Sequence, residues 1–145
     1  MAVAAGSGSR AVRPPTYAAT MSRPVRMVPA EQLTEGDPTP GMRRLEAFAV
    51  DGLWAGLVHT EPGAQSGWHH HGEHETSLYV VAGRLRLSYG AGGSDEVEAG
   101  PGDFLHVPAW TVHREANPTA ERSTAVIARA GRGTPTINVD RPDAP

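Results

Sequence analysis

The chain has 145 residues, enough for one packed domain and too few for two ordinary ones. It contains neither cysteine nor lysine, and its 13 basic residues, all arginine, stand against 16 acidic ones for a net charge of -3. Disulfide frameworks, thiolate metal sites, cysteine nucleophiles and lysine Schiff bases are thereby excluded, and the charge balance gives no support for a nucleic-acid partner.

Residues 1–22 are rich in Ala, Gly, Ser, Arg and Pro and read as a mobile N-terminal arm or tag remnant, ahead of a single domain over 23–145. They lack the apolar stretch of a secretory signal, and no run elsewhere approaches the length that spans a bilayer, so the expectation is a cytoplasmic protein without a membrane partner. One short helix is predicted around Pro29 to Leu33. Beyond it, Gly and Pro recur at intervals that leave little room for longer helices. Short segments of strand character lie between them: Ala47 to Asp51, Leu53 to Thr60, Ser77 to Ala82, Arg84 to Tyr89, Phe104 to Val107 and Ser123 to Ala130. Arg84 to Tyr89 alternates polar and apolar residues, as a half-buried antiparallel strand does. The predicted class is all-β, a sandwich or barrel of short strands.

Four of the seven histidines fall in the segment Trp68-His69-His70-His71-Gly72-Glu73-His74-Glu75-Thr76. Strand alternation puts His69 and His71 on one face and His70 on the other, so the first two can converge on one ion. A donor from the following turn and one from another strand would close the site. A solvated polyhistidine loop is the plainer alternative. The cluster's place between Pro62-Gly63 and the apolar run Leu78 to Ala82 argues against it.

Gly63, five residues, His69-x-His71 and a terminal Gly83 form one motif; Gly102, Pro108, His113 and Asn117 form a second. Over roughly residues 45 to 130 the chain resembles the cupins, whose two motifs these match. The resemblance implies a small antiparallel β-barrel, or jelly-roll sandwich, with a metal inside and His113 as a ligand. It also shows a departure: the usual glutamate position holds Thr76. By parity His74 is the preferred third ligand, with Glu75 the alternative by spacing. The expected set is therefore His69, His71, His74 and His113 around one divalent transition metal. Zinc is foremost, with nickel, ferrous iron and copper as alternatives.

His59, His106 and an unliganded Glu75 are the candidate acid/base groups, weighed against ordinary surface or hydrogen-bonded positions. Trp68 and Trp110 flank the ligand segments and are candidate walls for a flat substrate, or simple packing. Arg114 and Glu115 read as a surface pair.

The His69 to Gly83 segment is similar to the cupin-type cyclases of aromatic polyketide biosynthesis, that of the resistomycin pathway among them. This implies metal-assisted aldol closure of a poly-β-ketone, a hydrophobic carbonyl-rich or aromatic substrate, and a polyketide synthase as working partner. A quercetinase-like dioxygenase and a non-catalytic small-molecule-binding cupin are the alternatives. A homodimer through exposed strand edges is also expected.

Overall fold

A computed structural model describes residues 23–144, so the expectation for residues 1–22 lies outside the described residues. Period-two burial organises almost everything else. On Ser123–Ala130 every second residue is buried, and on Glu75–Ala82 the residues Thr76, Leu78 and Val80 face in.

The strands, in chain order, are β1 (Thr34–Glu35), β2 (Met42–Val50), β3 (Leu53–Thr60), β4 (His69–His70), β5 (Glu75–Ala82), β6 (Leu85–Tyr89), β7 (Asp95–Ala99), β8 (Phe104–Val107), β9 (His113–Ala116), β10 (Ser123–Ala130) and β11 (Ile137–Asn138). One sheet runs β1-β2-β3-β10-β5-β8 and the other β11-β4-β9-β6-β7. The pairings are antiparallel, and the two sheets form a jelly-roll-like sandwich. Among the described residues no helix is long and apolar enough to cross a membrane.

Three expected strands, β3, β8 and β10, have the predicted bounds, and β2 begins at Met42 rather than Ala47. The predicted helix is a single 3-10 turn, Ala30–Gln32. Two strands escape the hydrophobic pattern. In β7 only Ala99 is buried, as befits an edge strand. In β9 the buried alternate positions are His113 and Glu115, polar residues where the pattern seeks apolar ones.

Met42, Val58, Leu78, Val80, Leu85, Leu87, Leu105, Val107, Ala125 and Ile127 make a continuous apolar core between the sheets. Along two neighbouring strands the inward positions then turn polar, from Ile127 to Arg129 on β10 and from Leu78 to Thr76 on β5. The sandwich thus has an apolar part that holds it together and a polar part where its chemistry is concentrated.

The second motif's Asn117 is a lock for the turn after β9. Its amide donates to the Thr60 and Glu121 carbonyls at 3.1 and 2.6 Å, and its Oδ1 accepts from the Thr119 N–H and hydroxyl. Asp103 works similarly, accepting from the Gly100 N–H at 2.9 Å. Gly83 closes the β5–β6 turn at φ +72°, and a Cβ there would meet Arg122 O at 2.7 Å and Ser123 Cα at 2.8 Å. Gly83→Ala is therefore expected to cost about 1–3 kcal/mol in urea unfolding, through strain and a backbone clash. Gly67→Ala, with nothing within 4 Å of the added carbon, is the near-neutral control.

Candidate metal centre

The ligand segment begins on β4, whose His69 pairs with His113 of β9 across the sheet. Alternation along the chain sends His69 and His71 inward, and the same rule on β9 sends in His113 and Glu115. All four are buried, at 1–2% exposure, and offer ligand atoms within 4.8 Å of one another. The three imidazole centroids lie 5.1, 4.5 and 5.0 Å apart, and Glu115 Oε1 stands 3.8 Å from His69 Nε2 and 3.6 Å from His113 Nε2.

Each ring is oriented by its other nitrogen. Nδ1 of His69 meets the Gly67 carbonyl at 3.0 Å, that of His71 the Pro135 carbonyl at 2.8 Å, and that of His113 the Thr111 carbonyl at 2.9 Å. A carbonyl can only accept, so Nδ1 carries the proton and Nε2 keeps its lone pair. The three Nε2 atoms and Glu115 Oε2 are buried without a hydrogen-bond partner. Such orphaned acceptors, convergent and backed by carbonyls, are the arrangement a metal ion satisfies. Donors about 2.1 Å from a tetrahedral ion lie about 3.4 Å apart, a spacing this cluster can reach with small side-chain adjustments. The residues present fit a divalent transition metal.

Electrostatics favour the ligating forms. Burial, with the neighbouring Arg129 and His113, pushes His71 down to about 2, so its imidazole is neutral at ordinary pH. Burial alone would raise Glu115. The Arg44 charge works against burial and favours the carboxylate. Three neutral imidazoles and one carboxylate would leave a divalent ion with one net positive charge. The all-imidazole site expected from sequence, with two, is corrected by the presence of Glu115.

The structure brings His69, His71 and His113 together and sets His74 apart. Gly72, at φ +56°, begins a turn in which the His74 N–H donates to the His71 carbonyl at 3.0 Å. The turn breaks strand parity, and the His74 ring packs beside Gly131 with Nδ1 on that same carbonyl at 2.8 Å. Glu75, the alternative ligand, is outside as well, 2.7 Å from His106 Nε2 in an exposed pair. Glu115 is no surface residue, and its i, i+2 spacing from His113 was the signal that could have revealed it. His70 faces the opposite way, its Nδ1 accepting the Gly72 N–H at 3.0 Å beside Trp110.

His59 lies on the outer face of β3, between the buried Val58 and Thr60, with Nδ1 2.9 Å from Thr124 Oγ1. Burial and the Arg122 and Arg43 charges lower its pKa. Trp68 and Trp110 do not line either of the cavities beside the cluster. Trp68 stacks under Arg114 at 4.6 Å, and Trp110 is largely exposed. The aromatic wall comes instead from Tyr89 and Phe104. With Leu87, Val97, Leu105 and Val107 they line a cavity of ≈ 580 Å³ that reaches His113 and has His106 among its lining residues. A second cavity, ≈ 690 Å³, is lined by Arg44, Arg129, Trp54 and the segment Gly133 to Thr136.

A β-sandwich with histidines and a carboxylate convergent inside it defines a class: a small barrel whose interior could hold a metal ion. The sequence matches the cupin domain family over residues 56–128, and the chain belongs to that family. Solved structures agree on the fold. A double-stranded β-helix protein from Klebsiella pneumoniae superposes with a TM-score of 0.65 at 17% identity, covering 81% of this chain and 99% of its own. A sugar phosphate isomerase of the cupin superfamily from Silicibacter pomeroyi gives 0.55 at 27% identity, with 64% of this chain and 61% of that one covered. Oxalate decarboxylase from Bacillus subtilis gives 0.61 at 19%, covering 70% of this chain and 28% of the decarboxylase. The chain thus spans less than two thirds of the latter two. No curated protein matches the sequence.

Metal analysis of the purified protein should show one divalent ion per chain, lost in His69→Ala, His113→Ala and Glu115→Gln and kept in His70→Ala and His74→Ala. Full retention in His69→Ala and His113→Ala would refute the site. Loss in His74→Ala equal to that in His71→Ala would return His74 to the ligand set.

Proposed function

We propose that the protein is a metal-dependent enzyme acting on the carbonyl oxygen of a hydrophobic small molecule, and specifically an aldol-type cyclase of a poly-β-ketone. The supporting observation is the ≈ 580 Å³ cavity, mostly apolar and aromatic, with the ligand His113 among its lining residues. A flat, carbonyl-rich chain seated there would present an oxygen to the metal centre against the buried Leu87, Leu105 and Val107. That two neighbours are named as an isomerase and a decarboxylase supports catalysis over simple binding.

Without lysine or cysteine, neither an imine nor a thioester to the protein can form, so carbon–carbon bond formation here proceeds through an enolate. A divalent metal, when bound, supplies the Lewis acidity that stabilises such an oxyanion. The chain provides the rest. The imidazoles and Glu115 hold the centre, and the apolar wall folds the substrate. We assign the proton-accepting role to His106, one of the cavity's lining residues. Its Nε2 is directed at the Glu75 carboxylate, which holds that carboxyl below its usual range and leaves Nδ1 as the acceptor.

A dioxygenase is the second reading, favoured by one observation: a carboxylate among imidazoles suits ferrous iron as well as zinc. Feeding the product of a minimal polyketide synthase to the protein, under air and under nitrogen, separates the two. A cyclised product formed only with the protein, and equally without oxygen, is the expected result. His106→Gln should lower kcat by about 100-fold with KM nearly unchanged. Obligatory oxygen uptake would establish the dioxygenase, and an unchanged product profile would leave a binding protein.

A further inference from the structure

Two arginines in the interior have no evident purpose in the metal centre. Arg44 on β2 and Arg129 on β10 are each only 3% exposed. Among the described residues neither lies within 4.0 Å of a carboxylate, whereas Arg43, Arg84, Arg86, Arg122 and Arg132 all do. Arg44 donates once, from Nη1 to Thr39 Oγ1 at 2.5 Å. Its Nε and Nη2, and Nε of Arg129, are buried with no hydrogen-bond partner. Arg129 rests its guanidinium 5.0 Å from the Trp54 ring, which fixes its plane without satisfying its donors.

Burying a guanidinium without a partner is costly, and burying two around one cavity more so. Burial and the Arg44 charge together bring Arg129 down to about 10, so it remains a cation at neutral pH. Both line the ≈ 690 Å³ cavity. Its acidic lining residues make no hydrogen bond to either guanidinium, although the Asp37 and Glu115 charges act on Arg129 from a distance. Glu35 is paired with Arg43, Glu46 accepts from Trp54 Nε1 at 2.6 Å, and Asp37 is exposed to solvent. Pro135, whose carbonyl holds His71, lines the same cavity, and the Arg44 and Arg129 charges act on Glu115 and His71. The cavity therefore adjoins the segment that orients one of the candidate ligands.

We propose that Arg44 and Arg129 form a carboxylate-binding subsite beside the metal centre, so that the natural ligand is an organic anion whose carboxylate is held by these two side chains. Guanidinium donors match the two oxygens of a carboxylate, which offers about four lone-pair positions to the orphaned N–H groups. The inference goes beyond the cyclase reading, since this cavity shares no lining residue with the ≈ 580 Å³ one, and its test requires no turnover.

Calorimetric titration of the full chain with malonate, its neutral analogue malonamide and inorganic phosphate is the direct experiment. Malonate should bind roughly tenfold or more tightly than malonamide. Arg44→Gln and Arg129→Gln should each remove most of that difference while metal content stays at the wild-type level. Should either variant fail to fold, 15N-labelled wild-type protein gives the same answer: the Arg44 and Arg129 Nε–H resonances should shift with malonate and not with malonamide. Equal binding of malonate and malonamide, unmoved Nε–H resonances, or folded variants that bind malonate like the wild type would overturn the subsite. Tighter binding of phosphate than of malonate would overturn the carboxylate assignment. None of these outcomes depends on product formation, so a failed cyclase assay and a failed subsite are told apart.

Discussion

Three backbone carbonyls, those of Gly67, Thr111 and Pro135, each hold one imidazole by Nδ1 and so direct three Nε2 lone pairs toward one region of the interior. That constraint depends on the antiparallel framework. Gly67 leads into β4 and Thr111 into β9, while Pro135 approaches β11, which pairs back onto β4. A ring free to turn would lose rotamer entropy on binding a metal; these rings lose little, because the hydrogen bonds have already fixed them. The cost is borne in the folded chain, as four buried acceptor atoms without a protein partner.

The carboxylate of the site has a different origin from the one the family pattern suggests. Thr76, at the usual glutamate position on β5, is buried and cannot supply an anion. Glu115 supplies one from β9, in the opposite sheet and two residues beyond His113. The backbone of Glu115 is secured by Ser66, which exchanges hydrogen bonds with it at 2.8 and 2.9 Å. Two adjacent strands, β4 and β9, thus carry the whole cluster, with His71 just beyond the end of β4. The facing sheet is left free to present Arg44, Thr76 and Arg129 to the interior. The division places negative and neutral ligands on one sheet and cationic side chains on the other.

The length and composition, the all-β class, the two glycine-punctuated motifs and the inward pairing of His69 with His71 are properties of the sequence by itself. Each rests on local rules: turn chemistry at Gly83 and Gly102, and period-two alternation along a continuous strand. His74 marks where those rules end. Parity carries only along unbroken strand, and the turn at Gly72 lies between His71 and His74, so only the folded chain could decide which way His74 points. Glu115 and the arginines illustrate a second limit. A charged residue at an alternate strand position reads as solvent-facing unless a side chain of the neighbouring strand packs over it. That side chain, His69 for Glu115 and the stacked Trp54 for Arg129, comes from a strand far away in the chain. Burial of charge is a property of what surrounds a side chain, and the tertiary structure alone assembles those surroundings.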